Sequence, residues 1–285
     1  MDSHNFLLKI QSSYNQFTKA EKKVADYILK EPKQVLLLSI SDLADACDVG
    51  DTSVYRFCRT LGLKGYQEFK MKLSLSQGAK DTEMRYHTDL KGRQEISGDF
   101  AEKTFHQHID AIRETYMLLD REQFSKTLEM LKRARRVFFF GIGDSLLTAE
   151  EARNKFLRIT GKVVCITDPH MQAMAAATMT EEDMIFIISY SGATKDNLQV
   201  VKAAKAGGAR IACITHFQKS PLTRYADAVL LCGADEGILD GGSLKAKGGQ
   251  LYLIDLLYQK YYEQNYEECK RNNEKTVESV IEKLY

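Results

Sequence analysis

Between about residues 134 and 232 the chain repeats one unit, a short apolar run rich in β-branched and aromatic residues followed by a stretch of helical spacing. Five runs carry the pattern: Arg135–Gly141, Lys162–Thr167, Asp183–Ser189, Arg210–Thr215 and Ala228–Cys232. A strand that is apolar on both faces has to be covered on both, and strands separated by helices run parallel. The repeat therefore predicts a five-stranded parallel sheet flanked by helices on both faces. Helices are expected from Ser145, through the MQAMAAA segment, from Thr194, and as a short element before the fifth strand. Ligands of such sheets sit at the carboxyl ends of the strands, so the turns found there matter most.

Two of those turns stand out. In Gly141-Ile142-Gly143-Asp144-Ser145, Leu146 occupies the place where a dinucleotide fingerprint needs a small residue, and the chain has no G-x-x-x-x-G-K-[ST] segment. No nucleotide cofactor is implied, and none of any other kind is expected. The second turn is Ser189-Tyr190-Ser191-Gly192-Ala193-Thr194. Ser189, Ser191 and Thr194 set three hydroxyls around Gly192 at the start of a helix, where backbone N–H groups and the helix dipole favour an anion. Ordinary capping accounts for one hydroxyl and not for three. Gly192 is expected to let the main chain approach a ligand, and this stretch reads as a phosphate cup, whereas Gly141 to Ser145 taken singly is a weak signal, since any tight strand-to-helix turn can use two glycines.

The first 77 residues have another texture, that of short helices. Thr18-Lys19-Ala20-Glu21 and Ser39-Ile40-Ser41-Asp42 both have capping-box form. The first helix has to end near Glu31, because Pro32 follows, and the second ends about Cys47. A third begins after Asp48-Val49-Gly50-Asp51. Leu43, Ala44, Val49, Val54, Phe57 and Leu61 are spaced so that two short helices joined by a tight turn bury one cluster, which is helix-turn-helix spacing. The polar face of the third helix presents Asp51, Thr52, Ser53, Tyr55, Arg56 and Arg59, short polar groups for base edges and arginines for phosphate or guanine. On spacing alone, a small helical bundle with a solvated face fits equally well.

A chain of 285 residues suits two domains. We divide it into a helical domain at 1–77, a polar linker at 78–98, and a second domain at 99–285. Phe105, Ile109, Ile112, Tyr116 and Leu119 predict a long amphipathic helix whose apolar stripe packs on the second domain or on a partner subunit. The basic run Lys132 to Arg136 reads as a solvated surface. A formal net charge of +1 carries no whole-chain signal for nucleic acid. The six cysteines form no C-x-x-C pair and no cluster at zinc-ligand spacing, so they read as reduced core thiols of a cytoplasmic protein without a metal site. No apolar run is long enough for a membrane span, and MDSHNFLLKIQSSYNQ lacks the pattern of a signal peptide.

The pairing of G-x-G-x-S after one strand with S-x-S-G-x-T after a later one resembles the sugar isomerase (SIS) domain over roughly residues 125 to 260. The segment VGDTSVYRFCRTLGLKGYQEFK, from Val49 to Lys70, resembles the signature of RpiR-type transcriptional regulators, in which a helical head precedes an SIS domain. The resemblance implies an all-α helix-turn-helix head plus an α/β SIS domain. It implies phosphosugar binding by Gly143, Ser145, Ser189, Ser191, Gly192 and Thr194. It implies double-stranded DNA, with two half-sites, as a partner of the head, and a homo-oligomer, with dimer and tetramer as equal alternatives. Two departures stand out. Gly50 replaces the serine usual before the recognition helix, and Gly or Asp51 can still cap it. Lys247-Gly248-Gly249 replaces an Arg-Ile-Ala stretch, and two glycines near a helix start are expected to loosen it.

Two functions of different class follow. In the first, a phosphosugar favours one arrangement of the oligomer and so changes how paired heads fit DNA. In the second, the protein is an SIS enzyme, an isomerase or lyase acting on a sugar phosphate, and its helical head serves assembly. An isomerase needs a general base at the reacting carbon. Glu150, Glu151, Glu236 and His170 qualify by type only and form no assembled catalytic set, so the regulator is the expectation.

Overall fold

The computed structural model describes residues 6–76, 100–233, 244–281 and 283, which fall into two compact units. The linker at 78–98 and Glu236 lie outside the described residues. The first unit holds α1 (Phe6–Ser12), a 3₁₀ turn (Tyr14–Gln16), α2 (Lys19–Lys30), α3 (Pro32–Leu37), α4 (Ile40–Ala46), α5 (Asp51–Thr60) and α6 (66–76). Both capping boxes form as the sequence requires, Thr18 with Glu21 and Ser39 with Asp42. The core of this unit is aromatic. Phe57, fully buried on α5, lies 5.0 Å from the Phe17 ring and 5.7 Å from that of Phe69, which also meets Phe6 and Tyr66. Each such ring contributes roughly 2–3 kcal/mol by burial, enough to hold helices too short to be stable alone.

Polar groups finish the same unit. Glu21 accepts from the main chain and hydroxyl of Thr18 and, across the bundle, from the Thr60 hydroxyl of α5. The α3 carbonyls that lack helical partners are met by Lys70, whose buried ammonium donates to Leu36 and Leu38, and by the Tyr66 hydroxyl. α4 and α5 are joined through Cys47 to Gly50, with Asp48 at φ 50° making the turn. Leu43, Ala44, Val54, Phe57 and Leu61 are buried as predicted, and Val49 is half-buried.

The second unit contains the parallel sheet, in the order β2 (Val163–Cys165), β1 (Arg136–Gly141), β3 (Asp183–Ile188), β4 (Arg210–Thr215), β5 (Ala228–Leu231). Its helices are α7 (Phe100–Met117, whose first residues group with the other unit), α8 (Arg121–Arg133), α9 (Asp144–Leu157), α10 (Pro169–Ala176), α11 (Lys195–Ala206), α12 (Leu244–Gln264) and α13 (Tyr266–Ile281). One face of the sheet buries Val137, Phe139, Met184, Phe186, Ile188 and Ile214 beneath α8, α9 and α12; the other buries Phe138, Phe140, Ile185, Ile187 and Cys213 beneath α10 and α11. Strand residues alternate between the two cores, as a doubly covered sheet demands.

Three expectations need correction or narrowing. The short helix expected between β4 and β5 is absent: residues 218–225 are bends and turns, tied by Ser220 and Thr223, which exchange main-chain and hydroxyl hydrogen bonds around Pro221. Of the two partners expected for the apolar stripe of α7, the second domain takes little of it, which narrows the expectation to a partner subunit. Phe105, Ile112 and Tyr116 are exposed, while Ala111 and Thr115 are buried. The reason lies in the seat. A Cβ on Gly249 would collide with Thr115 Oγ1, and one on Gly233 would lie 2.8 Å from Thr115 N, so only a small-residue face fits. The Thr115 hydroxyl, moreover, accepts from Gly233 N at 2.9 Å. The same contact corrects the third expectation. α12 runs unbroken through Gly248 and Gly249, and Gly249 serves as a place of close helix approach.

At the opposite ends of the strands the basic run is largely absorbed. Arg136 grips the buried Asp183 carboxylate with two bonds of 2.8 Å, and Arg135 pairs with Glu182. The hydrogen bonds from Arg136 hold the Asp183 carboxyl below its ordinary range, helped by Thr180 N and opposed by burial. A depressed carboxylate stabilises the fold above the unfolded value near 3.9 and stops doing so as pH falls through the folded value. Asp183→Asn is expected to cost about 1–2 kcal/mol at pH 7, less than a fully buried pair because Arg136 remains partly in water. Thermal melts should show that difference shrinking below about pH 4; equal melting temperatures at pH 7 would show that the pair contributes nothing.

The six cysteines are all free thiols, five buried and Cys165 half-buried. Burial pushes Cys58 and Cys213 up to about 12, far from reactive thiolates. Among the described residues no helix is long and apolar enough to cross a membrane, and no group of three or more His, Cys, Asp or Glu could hold a metal ion.

Candidate functional site

Strand order decides where a ligand can enter the second unit. From β1 the chain crosses to β2 on one side and then to β3 on the other, so the crevice of the sheet opens between β1 and β3. Gly141 pairs with Ile188 in register, and the two turns singled out in the sequence leave the sheet side by side. Each feeds a helix that lacks a capping side chain: Gly143 precedes α9, and Thr194 precedes α11 without using its hydroxyl. Thr18, Ser39, Asp120 and Asp168 cap α2, α4, α8 and α10 in the ordinary way. The two helix starts follow neighbouring strands, so each brings the positive end of its dipole to the same edge of the sheet.

The glycines of these turns have distinct reasons. Gly143 adopts φ 61° and ψ −130°, a conformation open essentially to glycine alone, and faces open space. Gly141 allows α9 to start close by, since a Cβ there would lie 2.6 Å from Ser145 O. Gly192 has φ 59°, and the room where its Cβ would stand is filled by Ser220, with Thr215 Oγ1 at 3.3 Å. The protein itself therefore requires that glycine. Of the predicted hydroxyls, those of Ser145, Ser191 and Thr194 are half-buried at the mouth, whereas Ser189 is buried, its main chain bonded to Ile214 O and Gly192 N. Ser191 Oγ accepts from Ala193 N at 3.3 Å, which shapes the turn.

Apart from Lys247, singled out as a departure from the family, sequence reasoning missed the residues that surround this mouth from other elements. Lys247 of α12 forms a 2.7 Å ion pair with Asp144 at the start of α9, and Thr148 donates to the buried Gln250. Tyr190 stacks on His216 at 4.9 Å, and His216 Nδ1 lies 3.0 Å from Cys232 O, which makes Nδ1 the protonated nitrogen. These residues meet only through the tertiary fold and had no local signal. Glu150 and Glu151 stand on α9 and His170 is exposed in the first turn of α10.

In the first unit, Thr52, Arg56 and Arg59 are exposed and Ser53 and Tyr55 half-buried along α5, at spacings that share a face. Asp51 turns back instead, its carboxylate accepting from Ser41 of α4 at 2.9 Å. Gly50 caps α5 without a side-chain bond. Arg59 donates to Leu63 O, and the Tyr55 ring lies against Gly65.

The model of the helix-turn-helix domain of the rpiR family matches residues 4–80, and that of the SIS domain matches residues 130–260. An uncharacterized HTH-type transcriptional regulator of Haemophilus influenzae is 38% identical over 98% of this chain and 98% of its own. The chain belongs to the rpiR family of HTH-type transcriptional regulators. HexR of Pseudomonas aeruginosa, an HTH-type transcriptional regulator, is 35% identical over 79% of this chain and 78% of its own. The solved structure of the Vibrio vulnificus NanR protein complexed with ManNAc-6P covers 99% of this chain and 100% of that one, with a TM-score of 0.83 at 29% identity. This rpiR-family regulator thus joins a helix-turn-helix head to an SIS domain, as the resemblance of its motifs implied.

Proposed function

We propose that this rpiR-family regulator binds a phosphosugar in the crevice between β1 and β3 and operator DNA along α5, and that the first event alters the second. The observation that carries the ligand reading is the pair of uncapped helix starts at the switch point, ringed by hydroxyls. An anionic phosphate would satisfy N–H groups of the kind that side chains satisfy at the starts of α2, α4, α8 and α10. The ligand set is Gly143, Ser145, Ser189, Ser191, Gly192 and Thr194, the glycines contributing main-chain shape. The likeness to NanR, which was solved with ManNAc-6P, supports the same ligand class here. The DNA set is Asp51, Thr52, Ser53, Tyr55, Arg56 and Arg59, with Asp51 serving through its bond to Ser41.

The domains we assign are 1–77 for DNA, 78–98 as linker and 99–285 for the phosphosugar, in a cytoplasmic homo-oligomer whose paired heads fit two half-sites. The protein acts by binding rather than as an enzyme: no residue of the set can take a proton from a sugar carbon, and the two relatives described above are named as regulators. Fluorescence anisotropy on labelled DNA from upstream of the gene and its neighbours tests the reading, repeated with a panel of sugar phosphates at fixed salt. Competitor-resistant binding altered by one phosphosugar is the expected result. Turnover of a sugar phosphate without specific DNA binding would favour the enzyme instead.

A further inference from the structure

The turn between β1 and α9 is held from beneath by a side chain the ligand set does not include. Gln172, in α10, is fully buried, and its Nε2 donates to the main-chain carbonyls of Gly141 at 3.2 Å and Ile166 at 2.7 Å. Gly141 ends β1, and Ile166 follows the last residue of β2. The parallel register of these strands stops at Phe139 and Cys165, before either carbonyl is reached. The carboxamide bridges the gap with both of its protons. Its orientation is set by chemistry, because the flipped amide would press an oxygen against two carbonyl oxygens. Gln172 Oε1, also buried, has no donor among the described residues.

Gly141 is thus confined on two sides. Gln172 holds its carbonyl, and the first turn of α9 closes over its Cα so tightly that a Cβ would lie 2.6 Å from Ser145 O. Any shift of Gly141 carries Ser145 and the start of α9 with it. Those are one of the hydroxyls and one of the two helix starts assigned to the phosphosugar.

We infer that Gln172 is a positioning residue for the phosphosugar, fixing the Gly141–Ser145 turn through main-chain carbonyls without touching the ligand. This rests on the ligand reading above. Gln172→Met keeps the length of the side chain and takes this donor from the buried carbonyl of Gly141 and the part-buried one of Ile166; Gln172→Glu keeps the shape and sets a carboxylate against them. Either loss is expected to raise the concentration of sugar phosphate needed to alter operator binding by about tenfold or more. ManNAc-6P is the first probe. Operator affinity without sugar phosphate stays unchanged, and amide hydrogen exchange quickens at residues 142–146 in the full-length protein.

Unchanged ligand requirement and unchanged exchange in both variants would overturn the inference. So would loss of operator binding together with the melting transition in both, which would place the role of Gln172 in the fold at large. A wild-type protein that answers to no sugar phosphate would overturn the ligand reading instead, and the exchange comparison would then decide by itself whether Gln172 sets the turn.

Discussion

Gly192→Ala is expected to remove the response to phosphosugar and to destabilise the SIS unit by about 2–5 kcal/mol. Two costs combine. The left-handed backbone at φ 59° disfavours any side chain by roughly 1–2 kcal/mol. The added methyl would also lie 2.7 Å from Ser220 Cβ and 3.3 Å from Thr215 Oγ1 in a packed interior, an overpacking of about 1–3 kcal/mol. Ser220 cannot step aside easily, being fully buried and bonded to Thr223 through both main chain and hydroxyl. What yields is therefore the turn that carries Ser191 and Thr194. The double variant Gly192→Ala/Ser220→Gly separates the two costs, because it relieves the collision and leaves the backbone strain. Thermal melting should place it between the single variant and wild type, while a Gly192→Ala protein with wild-type melting and ligand response would sink the account.

The same residue shows where reading a sequence stops. SYSGAT reads as an anion-binding turn because hydroxyls, a glycine and a helix start are neighbours along the chain. The reason for Gly192 was not readable, because Ser220 reaches it from the loop between β4 and β5 and is adjacent only in space. Strands were legible by their apolar faces; β4 runs from Arg210 to Thr215 as predicted, whereas β2, at the edge of the sheet, is only Val163–Cys165. The stripe on α7 left two partners open for a physical reason. Hydrophobic periodicity identifies an apolar face but says nothing of the surface opposite, and here Gly233 and Gly249 admit Ala111 and Thr115 while excluding Ile112 and Tyr116. Gln172 gave no signal at all. It is an ordinary glutamine in an alanine-rich helix until β1 and β2 are placed against it.

Replacing Arg56 and Arg59 together by alanine is expected to weaken operator binding on the order of 10²–10⁴-fold, each arginine supplying roughly 1–3 kcal/mol at a base edge or phosphate. The fold survives the change. Both side chains are exposed, alanine is the better helix former, and the hydrogen bond lost, from Arg59 to Leu63 O, is worth about 1 kcal/mol. Salt dependence tells what the arginines touch. If both meet phosphates, the slope of log affinity against log salt falls by about 2; a smaller change with relaxed sequence preference assigns them to bases. Thr52→Ala is the contrasting variant, since a short exposed hydroxyl at the start of α5 carries no charge and leaves the slope alone. Phosphosugar affinity should be the same in all of these, because the ligand set lies wholly in the other unit. Wild-type operator binding by the double variant would move the DNA interface off α5. A parallel loss of phosphosugar binding would mean that the heads and the SIS domain share one site, contrary to the separation of sensing from reading on which the proposed function depends.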